Sequence, residues 1–136
     1  MYKNTMLEIN KYTCPHCKSN LSTSAGVSFL VNTQKHKNAL VYLSPKIGDY
    51  SYTSQPKLEL IRGERVDFYC PACHIDLTSP KHEDYIEIWI EINNLIKFEV
   101  EFCRISGERK TYVITEEYIE KHGENPPDFE EIFRID

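Results

Sequence analysis

The chain has 136 residues, of which 40% are hydrophobic and 27% are charged, and its formal net charge at pH 7 is −5. These values predict one globular domain over residues 1–136 and exclude a disordered chain. The acidic balance disfavours binding to nucleic-acid phosphates, and the sequence has no run of about 20 apolar residues that would span a membrane.

The first motif along the chain is a Cys-x-x-Cys hook in residues 12–23, which begins Tyr-Thr-Cys-Pro-His-Cys. Two cysteines at this spacing bend toward one point and can hold a metal ion. No apolar run follows Met1, so a signal peptide is not predicted and we expect a cytoplasmic protein. In that compartment thiols stay reduced, and paired cysteines more often bind metal than form disulfides.

Residues 27–61 are predicted to form β-hairpins, inserted between the first hook and a second one described below. Residues 27–31 and 39–43 are β-prone apolar runs separated by a polar break, and residues 50–53 predict a short edge strand. Residues 57–61 alternate between polar and apolar side chains, which is also typical of a strand.

The second hook, in residues 66–79, repeats the first hook with matching flanks. Every matching position lies 56 residues downstream, as from Cys14 to Cys70 and from Leu21 to Leu77. Two facing hooks supply four thiolates, which is the shell of a structural metal site. The predicted ligands are therefore Cys14, Cys17, Cys70 and Cys73. Zinc is the expected ion, and iron fits the same shell.

Residues 85–114 predict a three-stranded antiparallel meander, because apolar and polar residues alternate strictly and Asn93-Asn94 is a turn signal. Ile86, Ile88 and Ile90 share the apolar face. The other face carries Trp89, which is either covered or marks a contact surface. That face is expected to hold Cys103 as a small packed residue and to expose four glutamates to solvent: Glu87, Glu91, Glu99 and Glu101.

The remaining residues, 115–136, predict a helical segment. Thr115 is a suitable N-cap, acidic residues follow it, and Lys121, His122 and Gly123 suit a helix end. Residues 128–133 predict a further turn whose aromatic side chains seal the sheet, with an acidic docking segment as the alternative.

The paired Cys-Pro-x-Cys hooks of residues 12–23 and 66–79 resemble the knuckles of zinc ribbons and rubredoxin-like domains. Lys18 and His74 stand where those knuckles most often have glycine. The resemblance implies a structural metal and a role in binding proteins or nucleic acid, and it implies no particular reaction. Cys-Pro-His-Cys also resembles the dithiol of thioredoxin-fold oxidoreductases. That reading is disfavoured, because the residues after Cys17 are a poor helix opening and the second hook is unexplained.

Three histidines outside the predicted ligand set are candidates for further sites. His16 and His74 are expected to be exposed or to donate hydrogen bonds around the metal. His82-Glu83-Asp84 is a weak candidate for a second metal site, against the commoner charged turn before a strand.

The sequence contains no Gly-rich phosphate loop, no Gly-x-Ser-x-Gly and no His-Glu-x-x-His motif. The predicted fold is mainly β: a zinc ribbon with inserted β-hairpins, a three-stranded meander and a short C-terminal helix. The predicted function is that of a small non-catalytic protein with structural zinc that acts through protein contacts, with a homo-oligomer left open.

Two alternatives stay open. One is a nucleic-acid-associated or transcription-related zinc ribbon, with a basic patch at residues 35–37 or at Arg104, Arg109 and Lys110. The other is an enzyme whose site is not visible in the sequence.

Overall fold

Among the residues that the structure describes, the regular elements are β-strands arranged in two antiparallel sheets of five strands each. The computed structural model describes residues 11–93, 96–115, 119–124 and 126–127. The strands are β1 (Lys11–Thr13), β2 (Ser22–Thr23), β3 (Gly26–Thr33), β4 (Asn38–Leu43), β5 (Tyr52–Gln55), β6 (Val66–Tyr69), β7 (Tyr85–Ile92), β8 (Ile96–Cys103), β9 (Lys110–Ile114) and β10 (Ile119–Gly123). The mainly β prediction is confirmed for this part of the chain.

The first sheet, here called the hairpin sheet, is built from the material between the two hooks. Its order is β2-β3-β4-β5. Strand β6 lies on the same edge of β3 as β2, and it pairs with residues 30–33 of β3, whereas β2 pairs with residues 26 and 27. The predicted hairpin of residues 27–43 is confirmed, with Phe29 opposite Val41. Gly26 permits this pairing, because a Cβ there would lie 2.6 Å from the backbone oxygen of Leu43.

Residues 57–61 do not form the strand that their alternation predicts. The N–H groups of Leu58 and Leu60 donate instead to the hydroxyls of Ser54 and Tyr52, at 2.7 and 2.9 Å. These side-chain acceptors satisfy the backbone locally, so the segment needs no partner strand.

The second sheet, here called the meander sheet, has the order β1-β7-β8-β9-β10. The predicted meander is confirmed: Ile88 pairs with Val100, and Val100 pairs with Val113. Asn93 takes a positive φ of 57° in the turn, as tight hairpin turns require.

The predicted C-terminal helix is wrong for residues 119–123. This segment forms β10, which pairs with β9 from Ile119 opposite Ile114 to Gly123 opposite Lys110. A helix of two turns gains few hydrogen bonds against a high cost of nucleation, whereas β9 offers a full row of unpaired backbone groups. The further turn predicted at residues 128–133 lies outside the described residues.

The two sheets share one apolar core, and three phenylalanine rings mark its centre. Phe29 and Phe68 come from the hairpin sheet and Phe102 from the meander sheet. Their ring centroids lie 5.4–5.9 Å apart in edge-to-face arrangements, the geometry that aromatic quadrupoles favour.

Arg104 connects the sheets at the end of β8 and is only 3% exposed. Its guanidinium donates to the backbone oxygens of Val66 and Glu83, to the Thr78 hydroxyl, and to Asp67 at 2.8 Å. A buried arginine with four acceptors has a structural role, which here is to hold the two sheets together. The basic patch considered for Arg104, Arg109 and Lys110 therefore loses its first member.

Candidate metal centre

The first hook is held in shape by three backbone hydrogen bonds. Cys14 follows β1; its N–H donates to the Ser19 oxygen, and its own oxygen accepts from the N–H of Lys18 at 2.9 Å. The N–H of Leu21 closes the loop on Tyr12 at 2.7 Å. Lys18 takes a φ of 67°, the left-handed conformation that glycine adopts most easily. The hook therefore closes without glycine at this position.

The second hook repeats these contacts one by one. The N–H of Cys70 donates to Ile75, the N–H of His74 donates to Cys70 at 2.8 Å, and the N–H of Leu77 donates to Phe68 at 3.0 Å. His74 has a φ of 65°. The repeat seen in the sequence is thus a repeat of conformation.

The four cysteines of the two hooks converge, as predicted. All four Sγ atoms lie within 4.8 Å of one another. Across the hooks, Cys14 Sγ is 3.9 Å from Cys73 Sγ, and Cys17 Sγ is 3.8 Å from Cys70 Sγ. Ligands 2.3 Å from a zinc ion at the corners of a tetrahedron are about 3.8 Å apart. Disulfide sulfurs lie about 2 Å apart, so the distances fit a shared ion.

Backbone N–H groups of each hook donate hydrogen bonds to the sulfur atom of its first cysteine. Cys14 Sγ accepts from the N–H groups of His16 and Cys17 at 3.3 and 3.5 Å, and Cys70 Sγ accepts from Ala72 and Cys73 at 3.3 and 3.4 Å. Donors of this kind stabilise a thiolate.

Exposure and proton affinity differ among the four thiols. Cys14 and Cys70 are fully buried, whereas Cys73 is exposed. Burial raises the pKa of the Cys14 thiol to about 12, and hydrogen bonds from Ser19 lower the pKa of Cys17 to about 6. A metal ion bound to this set must displace the proton of the Cys14 thiol, because the ligands are thiolates.

Each hook lies where the chain passes from one sheet to the other. The first hook joins β1 of the meander sheet to β2 of the hairpin sheet. The second hook follows β6 of the hairpin sheet and leads to Thr78, which bridges Ile86 in β7 of the meander sheet. A metal held by both hooks would therefore join the two crossings.

Cys103 and the segment around His82, which the sequence also offered as candidates, lie apart from the four converging cysteines. Cys103 is half-buried in β8, beside the buried pair Tyr85 and Tyr112, in keeping with a small packed residue. The carboxylate of Asp84 binds Arg65 at 2.7 Å, and the N–H of Asp84 donates to the His82 ring. The segment around His82 thus forms a charged turn before β7.

A second cluster, which is not predicted from the sequence, is formed by Glu87, Glu99 and Glu101. Each offers a carboxylate oxygen within 4.8 Å of the others. The expected exposure of Glu101 is wrong, because its exposed fraction is 0%. One signal was present: Glu87 stands directly opposite Glu101 in the β7–β8 pairing, and like charges opposite each other destabilise a sheet.

A cavity of about 320 Å³ lies between the sheets. Core side chains such as Phe29 and Phe102 line one part of it, and loop residues with charged side chains, among them Lys46, Asp49 and Glu108, line another. Several of its polar groups are engaged internally: the Tyr12 hydroxyl donates to Pro45, and the Tyr50 hydroxyl bonds Thr111. No histidine is among its described lining residues.

Across the described ranges, no helix has the length and apolar character that crossing a bilayer requires. Comparisons with protein-family models, with curated proteins and with solved structures found no match to the chain.

Proposed function

We propose that this protein holds one structural zinc ion through Cys14, Cys17, Cys70 and Cys73 and acts without catalysis through contacts with other proteins. The proposal depends above all on the sulfur–sulfur distances of 3.8 and 3.9 Å across the hooks, which fit the edge of a zinc tetrahedron. Thiolates favour zinc or iron over hard cations, so iron is the alternative ion.

The ligand set supports the proposed non-catalytic role. Four sulfur ligands complete a tetrahedral shell and leave no position for water or substrate. An ion with a complete shell stabilises the fold. It joins the two hooks, which are far apart in sequence and each of which connects one sheet to the other.

The contact role is supported by surface and charge. Ile61 and Ile96 are large apolar side chains that are each 50% exposed. The net charge of −5 and the burial of Arg104 both oppose a phosphate-binding surface. A second copy of the chain is one partner consistent with these features.

The metal part of the proposal is tested by elemental analysis of the reduced, purified protein. We expect one zinc ion per chain in the wild type and in Cys103→Ser, and weakened zinc retention against a chelator in Cys73→Ser. Preparations without stoichiometric zinc or iron would contradict it. A single iron in place of zinc would keep the site and change the ion.

The contact part is tested by capture from a lysate with zinc-loaded wild type, Cys73→Ser and Cys103→Ser, each with and without nuclease. We expect the same partner with the wild type and Cys103→Ser in both conditions, and less of it with Cys73→Ser. Loss of the signal on nuclease treatment would favour the nucleic-acid alternative. Sedimentation of the purified protein measures self-association directly.

A further inference from the structure

The cluster of Glu87, Glu99 and Glu101, here called the carboxylate cluster, lies on the face of the meander sheet that does not meet the hairpin sheet. Glu87 belongs to β7, and Glu99 and Glu101 belong to β8. Their carboxylate oxygens lie within 4.8 Å of one another. This distance is short enough for one ion to contact all three groups, since oxygen ligands lie about 2.0–2.6 Å from a hard cation.

Glu101 is the residue that requires an explanation. Its side chain is fully buried, and within the described part of the chain neither carboxylate oxygen has a hydrogen-bond partner. An ionised carboxylate in this situation is strongly destabilising unless a proton or a cation accompanies it. The carboxyl group directly opposite it in the ladder, that of Glu87, increases the repulsion.

The charges around the cluster point to a divalent ion. Lys81 Nζ lies 2.6 Å from Glu99 Oε2 and neutralises one of the three carboxylates. Two negative charges are left when all three glutamates are ionised. One divalent cation balances them.

We propose that the carboxylate cluster binds a hard divalent cation such as Mn²⁺ or Ca²⁺ through carboxylate oxygens of Glu87, Glu99 and Glu101. Three carboxylates offer up to six oxygen atoms, the number and type of ligand that these ions favour. The thiolate set of the hooks has the opposite preference, so the two sites take different ions. The proposal does not depend on the zinc site.

Glu87 also provides the route by which an ion reaches the cluster. It lines a shallow surface cleft together with Pro15 and His16 of the first hook and with residues 75–78 and Pro80. Glu99 is nearly covered, since 13% of its side-chain surface is exposed. Glu101 then forms the closed end of the site.

Without the cation, a proton is the competing occupant. Burial first, and then the neighbouring carboxyl group of Glu99, raise the pKa of Glu101 to about 10. The charged groups that face Glu101 are Glu87, Glu99 and Lys81, and Tyr112 lies opposite it on β9. Cation binding must release this proton, so affinity is expected to rise with pH.

The test is a titration of zinc-loaded, reduced protein with Mn²⁺, followed by electron paramagnetic resonance and calorimetry. We expect one Mn²⁺ per chain with a dissociation constant below about 1 mM. Glu101→Gln is expected to weaken binding about tenfold or more with zinc content unchanged. Calorimetry in buffers of different ionisation enthalpy should show close to one proton released per ion.

Two further variants make the result decisive. Glu87→Gln should also weaken binding, which covers the case in which Glu101→Gln does not fold. Glu108→Gln is the matched control, because Glu108 is an exposed glutamate paired with Lys110. No saturable Mn²⁺ or Ca²⁺ binding at millimolar concentration, or equal binding by wild type, Glu101→Gln and Glu87→Gln, would overturn the proposal and leave the proton as the occupant.

Discussion

Replacing Cys73 by serine is a direct test of what the metal does for the fold. Cys73 is exposed, so the change by itself opens no cavity in the core. A loss of stability in Cys73→Ser therefore reports the metal rather than the packing. Cys103→Ser provides the matched control, because it makes the same substitution at a cysteine in β8 outside the converging set.

The magnitude follows from the loop that the ion closes. Cys17 and Cys70 are 53 positions apart, and cross-linking a loop of that size removes unfolded-state entropy worth about 4 kcal/mol at 25 °C. A chain of 136 residues has a total stability of about 7–20 kcal/mol. Loss of the ion should therefore cost a substantial part of the stability and lower Tm by about 15 °C.

The assay is calorimetry on the wild type, the wild type with a chelator, and both serine variants. The chelator-treated wild type and Cys73→Ser should unfold at similar, lowered temperatures, and added chelator should change Cys73→Ser little. Cys103→Ser should keep most of the wild-type Tm and its response to the chelator. If zinc-loaded wild type and Cys73→Ser had the same Tm within about 2 °C, the ion would not be holding the fold.

Three other changes test the fold and the second cluster. Arg104→Lys should lower the free energy of unfolding in urea by about 3 kcal/mol, because lysine cannot reach four acceptors. The control is Arg65→Lys at a half-exposed ion pair, which should lower it by less than about 1 kcal/mol. His74→Gly should keep zinc affinity in a chelator competition, and His74→Val should lower it, because a β-branched residue is strained at this positive φ. In zinc-loaded protein without added hard cations, stability should fall as pH rises, by up to about 1.4 kcal/mol per unit, since folded Glu101 keeps a proton that the unfolded chain releases. That loss lies between the ordinary pKa of 4.5 and the raised pKa of about 10; Glu101→Gln should remove it, and an unchanged slope in the variant would refute the assignment.

The hooks could be predicted because their structure is local. The spacing of Cys14 and Cys17, and the bonds that close the loop from Tyr12 to Leu21, depend on residues within one short segment. The meander was predictable for a related reason: strict alternation fixes which side chains face the core, and a short turn fixes the register.

Burial of Glu101 could not be predicted, because it depends on residues distant in sequence. Alternation correctly placed Glu101 on the face opposite Val100, and that face was expected to meet solvent. In the structure the segment after the second hook runs beside β7: the N–H of Ser79 donates to Tyr85, and Lys81 reaches across to Glu99 on β8. A period of two identifies a face of a sheet, and only tertiary packing determines what covers it.

The same limit explains Arg104 and β10. Nothing near Arg104 in the sequence identifies its acceptors, which are 21 to 38 positions away. For residues 119–123, the local signals favoured a helix, yet the open edge of β9 offered five backbone pairings. Local preference is worth tenths of a kcal/mol per residue, so an available strand edge decides the outcome.

The two hooks are equivalent in conformation but opposite in direction, and this matters for what an ion does there. The first hook carries the chain from the meander sheet to the hairpin sheet, and the second carries it back toward β7. An ion bound between them therefore connects two crossings that run in opposite senses, through sulfur pairs that each combine one cysteine from either hook. Sliding one sheet over the other would shift the two crossings relative to each other and stretch these pairs. A single ion at this place can thus fix the relative position of both sheets, although it contacts only two short loops.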